Sequence, residues 1–249
     1  MSSVRSIALA AVFACGTLAY GTASAGVVVS SSGPSASSYP VGKKLGDDER
    51  IVLARGDTLT VLDNGGTRVL RGAGTYTLGQ QAGRARSDTF AVLTRQGAAR
   101  RVRTGAVRVG DGASPDGSPN LWYVNVRNSG THCLAGPDGV RLWRSASEGE
   151  AAYTVRPAGA ESSTTVNFGD GETLLAWGNT TYPITDQSSF EIAGPGGAKV
   201  SVTFMLLGEM PGDAEGLAER LIAKGCANQL ELLSTAMLVE EAGGGGQPG

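Results

Sequence analysis

Histidine, cysteine and lysine are all scarce in this chain of 249 residues. A single histidine, His132, excludes zinc sites built on several imidazoles, and three cysteines are too few for a cysteine-rich metal cluster. There is no Walker loop, no GxSxG elbow, no HExxH and no GxGxxG that opens a helix, so no cofactor is expected. Charged residues make up only 18% of the chain and the formal net charge is −2, which excludes a whole-molecule attraction to nucleic acid or acidic lipid. Beyond the first 25 residues no apolar run approaches membrane-spanning length. What abounds is glycine, 38 residues at short spacing between stretches rich in β-branched side chains. That is the pattern of many turns joining short strands.

Residues 1–25 read as a cleavable signal peptide. Arg5 is their one charge, the apolar run 7–14 follows, and Ala23-Ser24-Ala25 offers the small side chains a signal peptidase admits, so cleavage is expected before Gly26. A second reading is a lipobox at Val12-Phe13-Ala14-Cys15, with Cys15 lipidated. Either way the expected location is periplasmic or secreted, with membrane attachment only through Cys15. Cleavage after Ala25 leaves Cys133 and Cys226. An even pair in an oxidising compartment argues for one disulfide, the alternative being two buried thiols.

Residues 26–46 are expected to be a flexible leader: Val27-Val28-Val29 is a candidate edge strand, and a Ser/Gly/Pro stretch follows it. A first unit spans 47–109. Its strands are expected at 51–53, 58–62, 67–71 and 75–78, as an antiparallel meander with a tight turn at Asn64-Gly65-Gly66, where Asn-Gly supplies positive φ. The order Gly56-Asp57-Thr58-Leu59-Thr60, Asn64-Gly65-Gly66, Leu70, Tyr76 resembles the β-meander of FecR-type extracytoplasmic domains over residues 50–78. The resemblance implies a meander outside the cytoplasm. It carries no signalling role, because the family's membrane helix and sigma-regulator segment are not seen here. The longer pattern is similar to uncharacterised secreted and periplasmic proteins of Gram-negative bacteria, which implies a compartment and no activity.

The first unit ends in an arginine-rich stretch. Residues 84–108 hold arginines at 84, 86, 95, 100, 101, 103 and 108 against one acid, Asp88, and Ser87-Asp88 can cap a short helix carrying Phe90, Val92 and Leu93. Residues 110–119, with three glycines and two prolines, read as a linker. Over 120–241 eight strands are expected, at 121–126, 131–135, 140–144, 152–156, 164–168, 173–177, 189–192 and 199–206, forming a β-sandwich-like domain. Two short helices close it. The first starts at Pro211-Gly212-Asp213, and in the second Cys226, Leu230, Leu233 and Met237 share a buried face. Residues 242–249 are expected to be a disordered tail. The fold class is therefore mainly β: an N-terminal meander with a short helix, then a sandwich with C-terminal helices.

Few residues offer chemistry. His132 and Cys133 are neighbours on a strand, so their side chains point to opposite faces and do not form a nucleophilic pair. Carboxylates cluster at Asp47-Asp48-Glu49 and at Asp170/Glu172, but nothing in their spacing specifies two carboxylates across a cleft. Arg95, Arg100, Arg101, Arg103 and Arg108 are candidates for holding an acidic partner or surface polymer. Against that, residues 209–241 carry seven acids and two bases, so the two regions can simply face each other. Trp122 and Trp143 are candidates for a glycan-binding face if their rings are exposed. The expected function is a non-enzymatic cell-envelope protein that binds a protein partner or an acidic surface polymer, not nucleic acid. The alternatives are a carbohydrate-binding module with exposed aromatics, or an envelope hydrolase with paired carboxylates.

Overall fold

Three consecutive valines at 27–29 set the architecture of the first half. In the computed structural model, which describes residues 24–78, 87–95 and 118–238, they lie in strand β1 (Ser24–Ser32). All three are buried. Val28 faces one apolar cluster, with Leu45, Ile51 and Leu59, while Val27 and Val29 face another, with Leu62 and the C-terminal helices. A strand covered on both faces is apolar without alternation. The flexible leader with an edge strand expected at 26–46 is thus corrected. β1 is an inner strand of a four-stranded sheet, between β2 (Lys44–Gly46) and β4 (Thr58–Asp63), with β5 (Gly66–Arg71) beyond β4.

The meander is also rearranged. β4 and β5 form the expected hairpin, but β3 (Arg50–Leu53) pairs with β6 (Gly74–Thr77) in a separate two-stranded sheet that brackets it. At the hairpin tip Gly66 has positive φ, whereas Asn64 and Gly65 do not. The turn is closed by Asp63, whose Oδ1 accepts from the N–H groups of Gly65 (2.7 Å) and Gly66 (2.9 Å). Asp57 does similar work at the β3–β4 corner. Its carboxylate accepts from the N–H of Ser35 (3.0 Å) and of Ala54 (2.5 Å), tying the Ser/Gly/Pro loop to the sheet. Gly33 is required there: its φ is +100°, and a Cβ would sit 2.4 Å from Asp57 Oδ1.

All eight strands expected in the second half form. β8 (Gly130–Leu134), β10 (Ala151–Pro157), β11 (Thr164–Phe168), β13 (Ser189–Ala193) and β14 (Lys199–Leu206) make a five-stranded sheet in the order β11-β10-β13-β14-β8. β7 (Tyr123–Asn125), β9 (Arg141–Trp143) and β12 (Leu174–Ala176) make a three-stranded sheet in the order β12-β9-β7. Alternate residues of both sheets fill one apolar core, including Leu142, Val155, Phe168, Ile192 and Phe204. Trp177 stands edge-on to Phe190 and Phe204 at 5.0 Å between ring centroids. The pairings are antiparallel except β14–β8 and β7–β9.

Three α-helices complete the described chain. α1 (Ser87–Thr94) buries Leu93 and exposes Val92. α2 (Ala214–Lys224) begins at Asp213, whose side chain accepts from the Gly216 N–H at 2.7 Å, and ends at Gly225 with φ 73°. α3 (Ala227–Ala236) follows directly. Their apolar faces, Leu217, Leu221, Leu230, Leu233 and Met237, pack against Val27, Val29 and Leu62 of the first sheet as well as Leu121, Trp122 and Cys133 of the second half. The helices therefore bridge both halves rather than closing the sandwich alone. Among the described residues no helix is long and apolar enough to cross a membrane.

Candidate functional site

β8 is an edge strand, and an uncovered edge presents unpaired N–H and C=O groups. Here α3 covers it with a side chain. Gln229 is buried, its Oε1 accepts from the Cys133 N–H at 2.6 Å, and its Nε2 donates to the carbonyls of Cys133 and Leu121, both at 2.8 Å. One carboxamide thus takes the place of a neighbouring strand. One residue along, Asn228 Nδ2 donates to the Ser129 carbonyl at 3.0 Å. Cys133 is held a second time by a disulfide to Cys226, the residue that caps α3. The expected pairing of the two cysteines is present.

Between the β7 and β8 edges and the outer face of α3 lies a cleft of about 460 Å³. Leu93, Leu121, Val124, Val202 and Leu232 give it apolar walls, and Asn128, Ser129, Asn228 and Thr235 supply amides and hydroxyls. Among the described residues Glu231 is its one carboxylate, and it is exposed. Its volume and its mix of apolar wall and few polar groups fall in the range of ordinary ligand sites, about 300–1,000 Å³.

His132 stands in the wall of this cleft, and its ring meets Phe204 edge-on at 6.1 Å. Burial pushes its pKa down to about 4, against a smaller opposing pull from the Trp122 backbone, so the imidazole is neutral at physiological pH. Its Nε2 is buried without a hydrogen-bond partner. Cys133 points the other way into the helical core and is oxidised, which leaves no thiolate beside the imidazole.

The other candidates disperse. Trp122 and Trp143 are buried, at 2% and 8% exposure, so neither presents a ring face and the glycan-binding assignment is corrected. Trp122 belongs to the helical core and donates its indole N–H to the Thr94 carbonyl at 2.6 Å; an aromatic side chain with a satisfied polar tip is a core element. Arg95 is exposed, and its carbonyl accepts from Asn120 Nδ2. Arg100, Arg101, Arg103 and Arg108 lie outside the described residues. The carboxylates hold loops: Glu49 pairs with Lys43 at 3.1 Å, Asp170 accepts from the Gly149 N–H and Glu172 from the Gly169 N–H. Among the described residues no group of three metal-ligating side chains comes together.

Two residues that sequence reasoning passed over are structurally central. Gln229 sits three residues after Cys226, on the same helical face, and a polar residue on a buried face was the signal available. Arg144 is buried at 3% exposure and donates to the carbonyls of Glu172, Gly149 and Gly169 at 2.7–2.8 Å while lying over the Phe168 ring at 5.1 Å. Nothing in its local sequence distinguishes it from the chain's other arginines. No protein-family model matches the chain, and neither a curated protein nor a solved structure does.

Proposed function

We propose that this chain is an exported, non-enzymatic cell-envelope protein whose task is to bind a partner, a protein or a surface polymer. The observation that carries the reading is the cleft beside β8. Among the described residues it offers apolar walls and neutral hydrogen-bonding groups, with one carboxylate and one imidazole too weakly basic to take up a proton near neutrality. That lining grips, whereas general acid–base catalysis calls for a pair of groups poised near the working pH.

Export is supported by the apolar leader with its Ala23-Ser24-Ala25 end and by the buried disulfide, a bond suited to an oxidising compartment. Cleavage before Gly26 would leave the three buried valines of β1 in the mature chain. Crosslinking and affinity capture of the tagged mature protein from envelope fractions tests the reading. A single stoichiometric partner is the expected result, and its loss in the Arg100→Ser, Arg101→Ser, Arg103→Ser variant would assign the contact to those arginines. Recovery of no specific partner, protein or polymer, removes the reading.

A further inference from the structure

An uncovered sheet edge is a template for another strand, and folded chains blunt their edges by brevity, charge or cover. Among the described residues several edges of this fold are blunted in these ways. β8 is covered by Gln229. β2, β7 and β12 are three residues long. β5 carries Arg68 and Arg71, and its Thr67 N–H donates to the Met237 carbonyl at 2.7 Å. β3 and β6 are four residues each, and the Val52 N–H of β3 donates to the Tyr39 hydroxyl at 2.8 Å. β11 differs. It ends the five-stranded sheet, pairs with β10 over five consecutive residues without a bulge, and holds no charged residue and no proline.

The ladder decides which groups of β11 point outward. The Ala158 N–H donates to the Ser189 carbonyl at 2.8 Å, one step past the Pro157–Phe190 pair, so Arg156 and Thr154 also bond toward β13. Tyr153 and Val155 therefore bond toward β11, where they meet Val166 and Thr164. That leaves the N–H and C=O groups of Thr165 and Asn167 facing away from the sheet. Both residues are exposed, and no group of the described residues bonds to their outward backbone.

Set antiparallel to a second copy about Val166, this strand matches itself. Thr165 of each copy falls opposite Asn167 of the other, and each such pair can exchange two backbone hydrogen bonds. Their side chains, hydroxyl against carboxamide, both donate and accept. Nothing repels. Residues 162–169 hold no charge, and neither do 173–185, which meet β11 where the Thr164 and Thr181 hydroxyls lie 3.4 Å apart. In a chain that is 18% charged this is a depleted rim, and charge depletion marks the centre of protein interfaces. A foreign strand could use the backbone groups, but the matching side chains are supplied by the same sequence.

We propose that the β11 edge is a self-association surface, at which two copies of this chain join across a two-fold axis into one continuous sheet, with five strands from each copy and Val166 at the axis. The surface is separate from any contact with an envelope partner.

Sedimentation equilibrium of the disulfide-intact mature chain, at loadings up to about 1 mM, tests this. The expected result is a reversible monomer–dimer equilibrium. Thr165→Lys with Asn167→Lys sets like charges opposite one another in both pairs, as does Thr165→Glu with Asn167→Glu. Each double variant should lose about tenfold in dimer affinity, with a melting temperature equal to that of wild type at a concentration where wild type is monomeric. Mixed in equal amounts, the two variants should form a heterodimer at least as tight as the wild-type dimer, a rescue that a folding defect would not give. Wild type that stays monomeric at every loading overturns the proposal, as do species larger than two copies. A dimer indifferent to both double variants, or a mixture that stays monomeric, overturns it as well, because the contact then lies elsewhere or in another register.

Discussion

Replacing Gln229 by leucine keeps most of the side-chain volume and removes three hydrogen bonds at once. The Cys133 N–H and the carbonyls of Cys133 and Leu121 lose their partner. The site is buried, with Gln229 only 3% exposed, so water replaces the carboxamide poorly. Each buried polar group left unmatched costs about 1–3 kcal/mol. Three such groups, partly relieved because Leu121 borders the cleft, give an expected loss of about 3–5 kcal/mol. Against a typical total of about 5–15 kcal/mol that is a large share.

Gln229→Glu separates hydrogen bonding from volume. The new carboxylate would face two carbonyl oxygens in a buried setting, and both effects raise its folded pKa above the unfolded value of about 4.3. The fold then favours the protonated form, so this variant should gain stability as the pH falls from its folded pKa toward about 4.3. Urea unfolding of the disulfide-intact protein, with amide exchange read at Cys133, measures both substitutions. A leucine variant within about 1 kcal/mol of wild type, or a glutamate variant indifferent to pH, would refute the idea that this carboxamide closes the sheet edge.

Three further outcomes follow from the same contacts. The Cys133→Ala, Cys226→Ala double variant opens a covalent loop of 93 residues, so chain entropy predicts a loss of about 4–5 kcal/mol at the upper end; a melting temperature unchanged in the variant would show that the crosslink constrains nothing. Arg144→Met leaves three loop carbonyls without their donor and should lower stability by about 3 kcal/mol, with proteolysis appearing first in the loops around 145–150 and 169–172; resistance to protease equal to wild type would contradict this. Acid unfolding should show two windows. Burial depresses His132 from 6.5 to about 4, so the unfolded chain takes up the proton first and stability falls as the pH drops from 6.5 to about 4. The Ser35 hydroxyl and N–H, with the Ala54 N–H, hold Asp57 below 3.8; the stability it lends is complete above that value and is lost as the pH falls through its depressed pKa. His132→Gln should flatten the first window and Asp57→Asn the second, and a stability–pH curve unaltered by either substitution would count against its assignment.

Local pattern made much of the fold legible. The eight strands of the second half and all three helices lie where alternation, turn residues and helical spacing place them, and the two cysteines pair. The hairpin at 58–71 was readable too, although its turn is closed by the Asp63 carboxylate rather than by a positive φ at Asn64. The tryptophans were not, because a ring's exposure depends on what is packed over it. Trp122 is covered by helices whose residues lie about a hundred positions further along the chain.

By itself the sequence determined where the chain extends, coils and turns, since those choices depend on neighbours within a few residues: glycine at sharp corners, β-branched runs between them, apolar spacing of three and four near the C-terminus. Only the tertiary structure decided the rest. β1 became an inner strand because the C-terminal helices and β4 cover it, β3 took β6 rather than β4 as its partner, and β8 and β7 took parallel neighbours. The cleft belongs wholly to this second category. Its walls come from residues between Leu93 and Ala236, and the bond that shapes its back, from Gln229 to Cys133, joins positions 96 residues apart. Contacts at that separation are selected by which surfaces remain to be buried once the local elements have formed, and no local period encodes that choice.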